Sequence, residues 1–245
     1  MKVKYDSING TYSIPLKLYE PDGTIVGYII AVHGFCGDME SSAIKELAER
    51  MEQHGIAVVA FDFVGHGKST ADEHFCLSAC RQDMLDVIEY AAERYNDKGF
   101  TAVFATSFGG YVTLLNKGSI PLTTKLVLRA PAVNMAKSFI QFVPDFDTFR
   151  SNGKCEMGFE RKLEVPYSFY EELVSNPVLS VKCERPLLII HGNKDDIVLP
   201  DDIEIFCNNN PMAVLKVIEG ADHRFKNEGE MSKVMDLTVE YLIGS

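Results

Sequence analysis

The chain has 245 residues, 46% hydrophobic and 24% charged; it is long enough to bury a large core and within the size that runs as one domain. Its 24 Lys and Arg against 35 Asp and Glu leave a formal charge of −11. A field of that sign repels phosphate, which excludes nucleic acid and anionic membrane surfaces as partners.

Taken in chain order, the first 26 residues hold strands broken by Asn9-Gly10 and Pro21-Asp22-Gly23, a pattern that predicts antiparallel hairpin pairing. From Tyr28 onward, strands are predicted at 28–32, 57–61, 100–105, 126–129, 187–190 and 214–218, and helices at 43–54, 78–95 and 230–243. Such alternation predicts an α/β fold, a mostly parallel central sheet with helices on both faces, linked by right-handed crossovers. In such sheets the loops at the carboxyl ends of the strands carry the site.

The alternation breaks at 134–175, which reads as a small cap inserted into a single domain. Six of the chain's 15 Phe residues fall there (Phe139, Phe142, Phe146, Phe149, Phe159 and Phe169), joined by Tyr167 and Tyr170. They read either as the insert's own small core or as rings lining an apolar pocket. On the second reading Phe139, Phe142, Phe146, Phe149, Tyr167 and Phe169 are the candidate substrate contacts.

The six cysteines, Cys36, Cys76, Cys80, Cys155, Cys183 and Cys207, form no C-x-x-C pair and no metal-ligand spacing. They fit a reducing compartment, and no metal or cofactor is expected. The amino terminus lacks the apolar stretch of a secretory signal, and no apolar run reaches bilayer length. A cytoplasmic location without membrane insertion is the expectation.

Chemistry is expected at Phe104-Ala105-Thr106-Ser107-Phe108-Gly109-Gly110. β-Formers lead into it and a helix-compatible segment, 111–115, follows, giving a strand, a sharp turn and a helix. A nucleophile held on such a strained turn needs small residues two before and two after it; Ala105 and Gly109 supply them for Ser107. A serine hydroxyl also needs a histidine base, and that histidine needs a carboxylate. The strand at 187–190 runs into a loop bearing Asp195 and Asp196, and the strand at 214–218 runs into Asp222-His223. Asp195 and His223 are the candidates, with Asp196 the alternative acid and Asp222 a solvated neighbour. His33, His66 and His191 read as loop-organising residues that bond to backbone, and His54 and His74 as surface residues.

With Ser107, an acid and His223 in that order, the chain resembles the α/β-hydrolase family. The resemblance spans nearly the whole length. It also takes in His33-Gly34-Phe35 after the first parallel strand, and Gly65-His66-Gly67-Lys68-Ser69, similar to the family's G-H-G-x-S turn. The usual G-x-S-x-G is altered here by Ala105. The family's G-x-x-D pattern fits Gly192 to Asp195, favouring Asp195 over Asp196. The resemblance implies an oxyanion hole formed by the backbone N–H groups of Phe35 and Phe108, with both rings free to line the pocket. Among capped members, the chain looks closer to bacterial feruloyl and cinnamoyl esterases than to monoacylglycerol lipases.

The implied activity is hydrolysis of small aromatic or medium-acyl esters, feruloyl and cinnamoyl esters among them, through an acyl-enzyme on Ser107. Monoacylglycerol lipase or acyl thioesterase is the alternative, and a non-catalytic ligand-binding module is the reading from another class. The partner expected is a small-molecule ester. The family includes monomers and dimers, so a homodimer is left open.

Overall fold

A computed structural model gives the fold and describes residues 1–95, 98–158 and 161–244. Strands β1 (Lys2–Asn9) and β2 (Ser13–Glu20) form the expected antiparallel hairpin, with Asn9 opposite Ser13. There follow β3 (Gly27–Val32), α1 (Ser42–Glu52), β4 (Ile56–Phe61), α2 (Leu77–Arg94), β5 (Phe100–Thr106), α3 (Phe108–Leu115) and β6 (Lys125–Arg129). After an insert come β9 (Leu187–Gly192), α7 (Pro200–Asn209), β10 (Ala213–Ile218) and α8 (Glu230–Ile243). One eight-stranded sheet runs β1-β2-β4-β3-β5-β6-β9-β10; it is parallel from β4 to β10, with β2 antiparallel to β4.

Strands β3, β4 and β9 are buried at every position, as expected of parallel strands covered on both faces. Alternate side chains feed two cores. Ile30, Val59, Val103, Leu128 and Ile189 point to the face covered by α2, α3 and the insert. Ile29, Val58, Phe104, Val127 and Ile190 point to the face covered by α1 and α8. The predicted strands and helices agree with these elements to within two residues at each end, apart from an earlier start for α3, and helix α7 was not foreseen. Its polar run Asp201-Asp202 hides the pattern, although Pro200 occupies the first turn, where a missing N–H costs little.

The insert holds α4 (Met135–Ile140), α5 (Phe146–Asn152), the antiparallel pair β7 (Lys154–Met157) and β8 (Leu163–Pro166), and α6 (Tyr167–Ser175). Polar contacts bind it to the sheet domain. Glu172 accepts from Leu77 N (2.9 Å) and Ser78 N (3.4 Å), supplying the carboxylate that the open first turn of α2 lacks in its own sequence. Ser138 donates to Ile197 O (3.0 Å), Tyr111 Oη to Asn176 O (2.9 Å), and Lys137 pairs with Asp202 (3.0 Å).

The turn after β4 organises the loop after β3. Asp62 accepts from Met39 N and Lys68 N, each at 2.7 Å, so the G-H-G-x-S segment wraps around one buried carboxylate. Gly67 sits at φ +51°, and a Cβ there would lie 2.2 Å from that carboxyl group. No helix among the described residues is long and apolar enough to cross a membrane. Gly67→Ala should therefore lower stability by about 1–3 kcal/mol through strain and overpacking. A urea-unfolding midpoint equal to wild type would show that the turn is not anchored this way.

Candidate active site

Ser107 lies between β5 and α3 at φ 49°, ψ −112°, a conformation that is strained for a residue with a Cβ. The surrounding structure holds it there. Ser107 N donates to Arg129 O (3.0 Å), and Ala132 N and Tyr111 N donate to Ser107 O (3.0 and 3.1 Å). Helix α3 starts at Phe108, earlier than the predicted 111, because Gly109 and Gly110 form its first turn. A Cβ at Gly109 would lie 2.5 Å from His33 O, and one at Gly110 would lie 2.8 Å from Pro131 Cβ. These glycines let the helix press against β3 and the end of β6, while the Ala105 methyl is fully buried in the core.

From this turn a row of hydrogen bonds crosses three strand ends. His223 Nδ1 donates to Asp195 Oδ2 (2.7 Å), which leaves Nε2 to accept from Ser107 Oγ (3.0 Å). Asp195 Oδ1 accepts from Ile197 N (2.9 Å) and Val198 N (2.8 Å). A buried carboxylate is costly without such donors. Asp196 is exposed and not part of this row; Asp222 turns away to pair with Lys226 (2.8 Å).

The other histidines of the motifs bond to backbone. His33 Nδ1 donates to Gly34 O (2.7 Å) and its Nε2 accepts from Phe63 N (3.2 Å); His66 Nδ1 donates to Val64 O (3.0 Å) and His191 Nε2 to Val198 O (3.0 Å). Burial lowers the pKa of all three, that of His66 to about 3, so they stay neutral where His223 would act as a base.

The N–H groups of Phe35 and Phe108 have no hydrogen-bond partner among the described residues. That of Phe108 is among the orphan donors of α3's first turn. Cys36 adjoins Phe35 with φ 56°, and burial pushes its thiol up to about 12, which leaves it no thiolate character at neutral pH.

A cavity of about 450 Å³ opens over Ser107 and His223, with Phe35, Met135, Phe142, Met157 and Ile197 in its apolar wall. Of the six aromatic residues predicted as substrate contacts, only Phe142 lines it. Phe139, Phe149 and Phe169 are buried to within 1%, and Phe146 and Tyr167 make edge-on or tilted ring contacts with Phe149 and Tyr170. Phe159 lies outside the described residues. The Phe108 ring is also core, packed on Phe63, His66 and Tyr111. With ring contacts from Phe139 and Phe169 onto Phe35, these aromatics back the pocket wall rather than form it. Sequence reasoning missed Arg129, Lys162 and Met231 in the lining. For Arg129 a signal existed, a charge ending an apolar strand.

Residues 23–163 match the family described as serine aminopeptidase, S33. The chain is a serine hydrolase belonging to that family. It is 24% identical over 245 aligned residues to palmitoyl-protein thioesterase ABHD10, mitochondrial, from Bos taurus, covering 88% of this chain and 72% of that protein. It is 23% identical to a monoacylglycerol lipase from Mycolicibacterium smegmatis, covering 96% and 94%. Among solved structures, Est1E from Butyrivibrio proteoclasticus with ferulic acid bound superposes with a TM-score of 0.83 at 22% identity, over 98% of this chain and all of that one. The fold is that of the α/β-hydrolases.

The buried histidines give a pH prediction. A histidine that is held neutral in the fold, but protonates near 6.5 when unfolded, contributes stability above pH 6.5 that is lost as pH falls toward its folded value. Between pH 7 and 5, wild type should therefore lose about 2 kcal/mol more unfolding free energy than His66→Asn. Parallel stability curves would refute the assignment.

Proposed function

We propose that this serine hydrolase is a carboxylesterase for small esters with an aromatic or medium acyl group, with hydroxycinnamate esters as the favoured class. The observation that carries the reading is the hydrogen-bonded row Ser107–His223–Asp195 opening onto a closed-backed, partly aromatic pocket. In this mechanism His223 takes the Ser107 proton as the oxygen attacks the ester carbonyl, then returns it to the leaving alcohol. Asp195 fixes the imidazole tautomer and stabilises the imidazolium. Phe35 and Phe108 N–H groups bind the oxyanion, each worth about 2.7–4 kcal/mol in the transition state. Water repeats the sequence to free the acid.

The aromatic preference rests on Phe35 and Phe142, whose rings offer a planar acyl group offset or edge contacts. It is also supported by the likeness to Est1E, whose structure holds ferulic acid. A second reading, acyl thioesterase or monoacylglycerol lipase, is supported by the names of the relatives in sequence. Both use the same nucleophile and differ in the leaving group and acyl chain.

Two experiments test this. Ser107→Ala, His223→Ala and Asp195→Asn should each lower kcat on 4-nitrophenyl butyrate by about 10³-fold or more, and a fluorophosphonate should label wild type but not Ser107→Ala. A folded wild type that neither turns over esters nor labels would revive a ligand-binding role. Across methyl ferulate, a monoacylglycerol and an acyl thioester, kcat/KM should be highest for methyl ferulate; a higher value for either of the others would transfer the assignment to the second reading.

A further inference from the structure

Arg129 ends β6, opposite Thr106 of β5 and Ile190 of β9. Its side chain points to the sheet face covered by α1 and α8, away from the insert. The residue is only 9% exposed. Its Nε donates to Thr106 Oγ1 (3.2 Å), and its guanidinium lies over the Phe225 ring, 5.5 Å from the centroid. Among the described residues, Nη1 and Nη2 have no hydrogen-bond partner and no carboxylate comes within ion-pairing distance. Asp195 acts on it only from farther off, and that carboxylate is already supplied by three N–H donors. Burial depresses the guanidinium to about 10, so it remains a cation at neutral pH.

An arginine this buried is normally paired, because an uncompensated charge costs several kcal/mol. Arg129 nevertheless lines the same cavity as Ser107 and His223, together with Thr106, Ile44 and Met231. The lining thus comes from two sides of the serine. Met135, Phe142 and Met157 stand on the insert side, and the buried cation stands on the α1–α8 side. The cavity's acidic side chains, Asp38 and Glu156, sit on the β3–α1 loop and β7, and neither pairs with Arg129 among the described residues.

We infer that Arg129 is a specificity residue that receives a carboxylate carried by the ester substrate, so that the enzyme favours esters bearing a free acid group over neutral esters of the same shape. The inference rests on the reading of Ser107 as an ester-cleaving nucleophile. A planar fork whose Nε is fixed by Thr106 presents its remaining N–H groups in the geometry that accepts a carboxylate through two parallel bonds. Exclusion of bulk water strengthens that contact. In a chain of charge −11, anions gain nothing from the overall field, which makes a local cation the element that would admit them.

The test uses two matched pairs, with the acid on either side of the scissile bond: 4-nitrophenyl hemiglutarate against 4-nitrophenyl pentanoate, and 4-acetoxybenzoate against its methyl ester. Wild type, Arg129→Gln and Arg129→Lys are assayed on all four. In at least one pair, Arg129→Gln should lower the anionic-to-neutral ratio of kcat/KM at least tenfold, chiefly through KM, and Arg129→Lys should fall between. A ratio changed less than twofold in both pairs, including an equal loss on all four esters with a shifted pH profile, overturns the inference and makes Arg129 a support for Asp195. If the variants do not fold, inhibition of wild type by monomethyl glutarate against dimethyl glutarate decides. Tighter inhibition by the monoanion, tenfold or more, supports the inference, and less than that overturns it. No turnover of any ester overturns the esterase reading itself, and this inference with it.

Discussion

A buried carboxylate has to find donors, and at the carboxyl edge of this sheet the donors for Asp195 come from two places. Two are backbone N–H groups of its own loop, Ile197 and Val198, and the third is His223 from the loop after β10. Because the first two bonds fix the carboxylate, the third fixes the imidazole, and the imidazole in turn reaches Ser107. The loop geometry around Asp195 is thus the constraint on which the rest of the site depends. His191 reinforces it by donating to Val198 O, which holds the loop in the turn that presents its two N–H groups.

The strain at Ser107 is the counterpart of that order. A positive φ at a residue with a side chain persists only where its surroundings over-determine it, and here the turn is bonded to β6 on both sides and wedged against β3 by Gly109. On the neighbouring loop the same logic is repeated with different chemistry. The Asp62 carboxylate collects two N–H donors and draws the G-H-G-x-S turn around itself, and Phe63 N then bonds His33. Two buried carboxylates, one on each side of the serine, set the loops between which the cavity opens.

Packing decides what the cavity is made of. The insert's aromatics meet Phe35, Phe75 and Phe108 in one continuous cluster, so the insert is joined to the sheet domain through a shared core as well as through polar contacts. Among the described residues, that leaves Phe35 and Phe142 as the phenyl rings that face the cavity, while the α1–α8 side carries Thr106 and Arg129 together with Ile44 and Met231. Aromatic residues in the insert therefore shape the pocket mostly from behind, through the position they impose on Phe35.

The amino-acid sequence alone determined the alternation of strands and helices, the small residues around Ser107, and the order of serine, acid and histidine, because these depend on local periodicity and on chemistry at strand ends. The Asn9-Gly10 hairpin and the helix at 230–243 were legible for the same reason. Helix α7 and the β7–β8 pair were not, since polar residues in the first and short length in the second erase the period. The G-x-x-D pattern already favoured Asp195 over Asp196, but only the tertiary structure decided that Phe139, Phe149 and Phe169 are core while Phe142 is wall, and that Arg129 stands buried beside the serine without a carboxylate partner among the described residues. Each of these turns on which of several chemically similar side chains reaches a given point in space, and that depends on contacts between elements far apart in the chain.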